Sequence, residues 1–216
     1  MTLKVIQVVY IVNFNTQLFP ILHHEMTEGL QKIGFELSPG WPLRVPLNSR
    51  ISGQGELARK GKTIIIINSD SQQLQISDES VDSVLSNVDD LYDMFIEEYG
   101  IDIFKISKYF SFTGDYIYYT DKPAFTTISK KIDAPIVEKI SKIMGHEMKG
   151  FQLNLAFKDL KVNSEEWYDF IIRPSYERDD SYIIRVVIRN PDREVINKLI
   201  SEFEDKITDV IGYIEA

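Results

Sequence analysis

A chain of 216 residues with 44% apolar side chains can bury a large core, and its 24 basic and 33 acidic residues leave a formal charge of −9. That charge sets long-range repulsion against phosphate backbones and anionic lipid as a general mode of contact. The absence of cysteine removes disulfides, thiolate nucleophiles, zinc–thiolate sites and iron–sulfur ligation together. No stretch approaches the roughly 18 uninterrupted apolar residues of a membrane span, and the first residues lack a signal-peptide pattern, so the expectation is a soluble cytoplasmic protein without a membrane partner.

Taken in chain order, Lys4 to Phe14 is rich in Val, Ile and Tyr and reads as a mostly buried strand. Asn15 or Thr16 then supplies a cap for a helix whose apolar stripe runs from Leu18 to Ile33, with Pro20 near its first turn and Gly34 as its stop. Residues 35 to 62 hold three prolines and four glycines, a composition of turns and edge strands. Thr63 to Ile67 reads as a central strand and Gln73 to Ser77 as its partner. Between Thr63 and Asp102 there is no lysine or arginine, and Val84, Leu85, Val88, Leu91, Tyr92 and Phe95 recur at steps of three and four. That spacing predicts an amphipathic helix with an acidic outer face, stopped by Gly100.

The second half reopens with a strand around Ile103 to Phe112, and Thr113-Gly114-Asp115 offers a hairpin turn into Tyr116 to Thr120. A polar segment, Asp121 to Ile132, precedes a helix capped by Asp133, with Pro135 in its first turn and Gly145 beyond its end. Phe151 to Phe157 alternates. Trp167 to Tyr176 and Tyr182 to Asn190 read as long strands joined by a polar hairpin loop, and one final helix, capped by Asn190 with Pro191 first, carries Ile196 to Ile211 on its inner face.

Strand, helix, antiparallel strands and helix are thus stated twice, in an N-terminal half (1–100) and a C-terminal half (101–216) packed as one unit. The predicted class is α+β, an internal duplication with antiparallel sheet covered by helices on one face. This element order resembles that of the TATA-box-binding protein, which implies two such halves joined in one curved sheet. Fold resemblance carries no function with it.

Catalytic signatures are missing where they would be expected. In Gly55-Glu56-Leu57-Ala58-Arg59-Lys60-Gly61-Lys62-Thr63, five residues rather than four separate the first glycine from Gly-Lys-Thr, and a strand follows where a phosphate-binding loop needs a helix N-terminus. A hairpin turn is the better reading. His23, His24 and Glu25 invite comparison with HExxH, but the residue four after His24 is Glu28, and a metal site of His24, Glu28 and His146 is weaker than solvent-facing or capping histidines. Gly-x-Ser-x-Gly does not occur, and pairs such as Asp89-Asp90 and Glu97-Glu98 belong to a solvated helix face. No metal and no cofactor are therefore expected, and the expectation leans against enzymatic activity.

A sheet face remains. In Tyr182 to Asn190, Ile183, Arg185, Val187 and Arg189 share one side, while the all-apolar other side belongs against helices. Arg185 and Arg189 then project from the open face, with Arg173 from the neighbouring strand and Lys105 and Tyr109 from the opening strand, a set able to grip an anionic ligand. Cross-strand pairing with carboxylates such as Glu177 and Asp169 is the plainer role for these arginines. Tyr116, Tyr118 and Tyr119 are candidate interface aromatics. The leading expectation is a binding or assembly module meeting a protein partner or a second copy through an open sheet face or edge. The alternatives are nucleic-acid binding through the arginine face, which net charge disfavours, and a small-molecule enzyme with a pocket between sheet and helices.

Overall fold

The computed structural model describes residues 1–15, 24–40, 54–68, 70–132, 135–158, 161 and 164–216, with the side chains of 24–26 and 54 also outside the description. The described residues form nine strands and six helices. In chain order these are β1 (Thr2–Phe14), α1 (His24–Lys32), β2 (Glu36–Leu37), β3 (Gln54–Lys60), β4 (Thr63–Asn68), β5 (Gln73–Asp78), α2 (Val81–Tyr99), β6 (Ser107–Tyr119), α3 (Ala124–Lys131), α4 (Pro135–Met144), β7 (Leu153–Ala156), β8 (Trp167–Pro174), β9 (Ser181–Asn190), α5 (Arg193–Ser201) and α6 (Phe203–Glu215).

All nine strands belong to one antiparallel sheet in the order β2-β3-β4-β5-β1-β6-β9-β8-β7. Strands β1 to β5 fill one side of the sheet and β6 to β9 the other, so the halves of the chain meet where β1 pairs with β6. Alternation decides which face is covered. Val8, Tyr10 and Val12 of β1 are buried, as are Phe110 and Phe112 of β6 and Ile184, Val186 and Ile188 of β9. Helix α2 lies over β1, β4 and β5, α5 over β6 and β9, and α3 against β8.

Helix α2 shows how the sequence dictates this layer. Its buried stripe is Val84, Val88, Leu91, Met94 and Phe95. Ser80 accepts a hydrogen bond from the Ser83 amide at 3.3 Å, and Gly100 ends the helix in the left-handed region at φ 65°. Asp78 faces the helix layer without being orphaned, because its carboxylate accepts from Thr63 Oγ1 at 2.6 Å and from the Ser80 amide at 3.0 Å. Asn87 donates to the same Thr63 hydroxyl at 3.2 Å. This satisfied polar knot ties the start of α2 to β4 and β5.

Four sequence expectations need correction. Thr113-Gly114-Asp115 is not a hairpin turn, since β6 runs unbroken from Ser107 to Tyr119. Gly114 sits on the buried side, where an added Cβ would lie 2.5 Å from Tyr116 Cε2, so glycine here makes room for a ring rather than a reversal. The segment 121–132 is not simply a polar loop, because α3 occupies Ala124–Lys131 and buries Ala124 and Ile128. The last helix is two, α5 and α6, separated at Glu202 with no proline or glycine to announce the break. Its cap is Asp192, which accepts from the Glu194 amide, while Asn190 Oδ1 accepts from the Asp192 amide and Pro191 precedes the helix.

The glycine-lysine-threonine stretch is a hairpin, with β3 and β4 antiparallel and Gly61 at φ 61° between them. The caps expected at Asn15 or Thr16 and at Asp133 involve residues partly outside the described set, as does the first part of the helix stripe from Leu18.

Candidate binding face of the sheet

The face opposite the helices is built from the alternate residues of every strand. On β9 these are Ile183, Arg185, Val187 and Arg189, and β8 sets Arg173, Ile171, Asp169 and Trp167 opposite them in that order. On the other flank Asp115 opposes Arg185, Thr113 opposes Val187, and Ser111 opposes Arg189. The face continues through Val9 and Ile11 of β1 to Ile64 and Ile66 of β4. Each of these four aliphatics is half-buried, unlike the fully covered residues on the other side. Amides run between them: Gln73 Nε2 donates to Asn13 Oδ1 at 2.8 Å, Gln75 Nε2 to Gln73 Oε1 at 3.1 Å, and Gln7 Nε2 to Ser77 Oγ at 2.9 Å.

The five residues singled out from sequence divide. Arg185 is exposed and its Nε lies 3.8 Å from Asp115 Oδ1, directly across the β6–β9 ladder. Arg189 stacks on the Tyr109 ring, 4.7 Å from its centroid, and its buried Nε has no hydrogen-bond partner. Arg173 covers the Tyr176 ring at 4.9 Å. Lys105 does not join them: β6 starts at Ser107, and Lys105 sits in the preceding turn, 83% exposed and paired with Asp102 at 3.1 Å. The cross-strand partner of Arg185 is Asp115, a residue hidden from sequence reasoning by the hairpin assigned to Gly114. Of the interface aromatics, Tyr116 and Tyr118 are buried under the helices, whereas Tyr119 lies on the other face beneath Arg178 at 5.2 Å.

Charge on this face is balanced. Among described residues it carries Lys4, Arg59, Arg173, Arg185 and Arg189 against Glu36, Glu56, Asp115 and Asp169. Glu56 accepts two bonds from Arg59, at 2.9 and 3.2 Å, and one from Ser38, at 3.0 Å; Arg59 first and Ser38 second hold its carboxyl below the usual range. In the β8–β9 hairpin Arg178 grips Asp180 through two bonds and likewise lowers its carboxyl. The acidic excess of the chain therefore lies elsewhere, much of it on the outer side of α2.

A cleft of about 740 Å³ lies between α3, α4 and residues 145–150, lined by Lys130, Glu138, Lys142, His146 and Lys149 among others. It contains His146 but no strand residue, so it is not the expected pocket between sheet and helices. Among the described residues no group of three His, Asp or Glu converges to hold a metal ion. The His24 side chain is outside the described residues.

No family model and no curated protein matches the chain. A solved structure similar to it is the TBP of Methanococcus jannaschii, at 11% identity over 97% of this chain and 99% of that chain, with a TM-score of 0.37. At that identity and score the likeness says nothing of what this chain binds. No described helix is long and apolar enough to cross a membrane.

Proposed function

We infer that this protein is an assembly module that pairs with a second copy of itself through the open sheet face. The observation that carries this reading is the composition of that face: aliphatic rows flanked by both signs of charge, on a protein whose other surfaces hold the acidic excess. A twofold contact sets one surface against itself, so it needs mixed rather than single-signed charge. Size is adequate. Eight strand spacings of about 4.8 Å make the sheet about 38 Å across, and strands of about eight residues on average are about 26 Å long, so the face covers about 1,000 Å², above the roughly 800 Å² per partner of a stable interface.

Light scattering during size exclusion tests it. The expected mass is twice the 25.0 kDa of the chain, falling to a single chain when Ile11→Glu and Val187→Glu are combined. A monomer at high concentration, or a dimer unmoved by those substitutions, overturns the reading.

A second reading rests on Arg189, which has an aromatic ring beneath it and, among the described residues, no carboxylate within ion-pair distance. Together with Arg173 it supports contact with a single-stranded nucleic acid, where stacking and phosphate attraction combine. An electrophoretic shift at low salt that vanishes in Arg173→Gln/Arg189→Gln favours it; no shift at low salt removes it.

A further inference from the structure

Helix α4 is built inside out. Ile136, Ile140 and Ile143 follow one another at steps of four and three, so they and Met144 share one face of the helix. In most helices such a stripe lies on the core. Here Ile136 is 65% exposed, Ile140 42%, Ile143 74% and Met144 58%, and α4 has no buried residue. The side turned toward α3 is instead the one bearing Val137, Glu138, Ser141 and Lys142, which lines the cleft.

The surrounding charge says what can cover the stripe. Residues 122–161 hold eight lysines and four acidic residues, net +4 within a chain of −9. Lys139 sits at the margin of the stripe, with Lys142 behind it and Lys130 and Lys149 across the cleft. None of these four lies within ion-pair distance of a carboxylate among the described residues. A second α4 set against this one would crowd like charges at Lys139, whereas an anionic surface with an apolar interior satisfies both features. A ten-residue helix is also marginal by itself, so burial of its stripe is what would hold it.

We propose that α4 lies on anionic lipid bilayers, with Ile136, Ile140, Ile143 and Met144 entering the headgroup boundary, Lys139 beside them meeting the negative surface, and the lysines behind the helix adding a longer-range attraction to it. The helix rests on the membrane and does not cross it, consistent with its length. This surface is separate from the open sheet face, and each proposal stands or falls without the other.

The test is cosedimentation of the full chain with phosphatidylcholine vesicles, alone or mixed with about one third phosphatidylserine, at low and high salt. Binding to the mixed vesicles alone is expected, weakening as salt rises. Lys139→Gln should weaken it roughly 5-fold, and Ile140→Asn/Ile143→Asn should abolish it with the unfolding temperature little changed, because neither side chain belongs to the buried core. Absence of binding to mixed vesicles at low salt overturns the proposal, as does binding indifferent to the isoleucine substitutions. A dimer that dissociates in the isoleucine variant, without any vesicle binding, overturns it in favour of a second copy covering α4. Sheet-face substitutions should leave vesicle binding intact.

Discussion

Helices α2 and α4 carry the same kind of message in sequence and meet opposite fates. Both space apolar residues three and four apart, Val84, Val88, Leu91 and Phe95 in one, Ile136, Ile140 and Ile143 in the other. The first stripe is buried on β1, β4 and β5; the second points to solvent. The difference teaches that amphipathicity specifies a stripe in need of cover, while the neighbours determine whether the fold itself provides that cover. α2 has a sheet beneath it, a serine cap and the Asp78–Thr63–Asn87 knot at its start. α4 turns its polar side to the cleft that separates it from α3.

Paired truncation is the strongest way to break this contrast. Phe95→Ala should lower the unfolding free energy by about 3–5 kcal/mol in a urea titration, because Phe95 is fully buried and its loss leaves a cavity. Ile143→Ala should change it by less than about 0.5 kcal/mol. Comparable losses at the two positions would mean that the α4 stripe is covered in solution. The helix stops offer a second comparison, since Gly100 after α2 has φ 65° and Gly145 after α4 has φ 70°, and both leave open space for a Cβ. Alanine meets about 1–2 kcal/mol of backbone strain at either site. The expectation is a lower global midpoint for Gly100→Ala, and for Gly145→Ala only faster hydrogen exchange at α4 amides, since α4 anchors no core residue. On the α2 side the smallest effect belongs to Ser80→Ala, which should cost about 1 kcal/mol through its lost cap and show first as exchange in the opening turn of α2.

Where local chemistry and packing agreed, the fold was legible. The alternation of Tyr182 to Asn190 assigned both faces of β9, and Gly34, Gly100 and Gly145 marked helix ends that have the left-handed backbone expected of them. Where a residue served a distant neighbour, local reading failed. Gly114 resembles a turn glycine within Thr-Gly-Asp, yet its role is set by the Tyr116 ring. That single misreading also removed Asp115 from view, and with it the partner of Arg185. The apolar run from Ile103 groups Lys105 with the arginines, but β6 begins four residues later at Ser107, and the break at Glu202 leaves no compositional mark.

Sequence alone determined the α+β class, the antiparallel strands and the stripe on each amphipathic helix, because these follow from periodicity and from residues that restrict the backbone locally. Only the tertiary structure decided that β1 and β6 join all nine strands into one sheet, that Asp115 neutralises Arg185 while Arg189 stacks on Tyr109, and that α4 turns its isoleucines outward. Those outcomes depend on which surfaces meet across long stretches of chain, and no local pattern encodes the direction in which a stripe will find its cover.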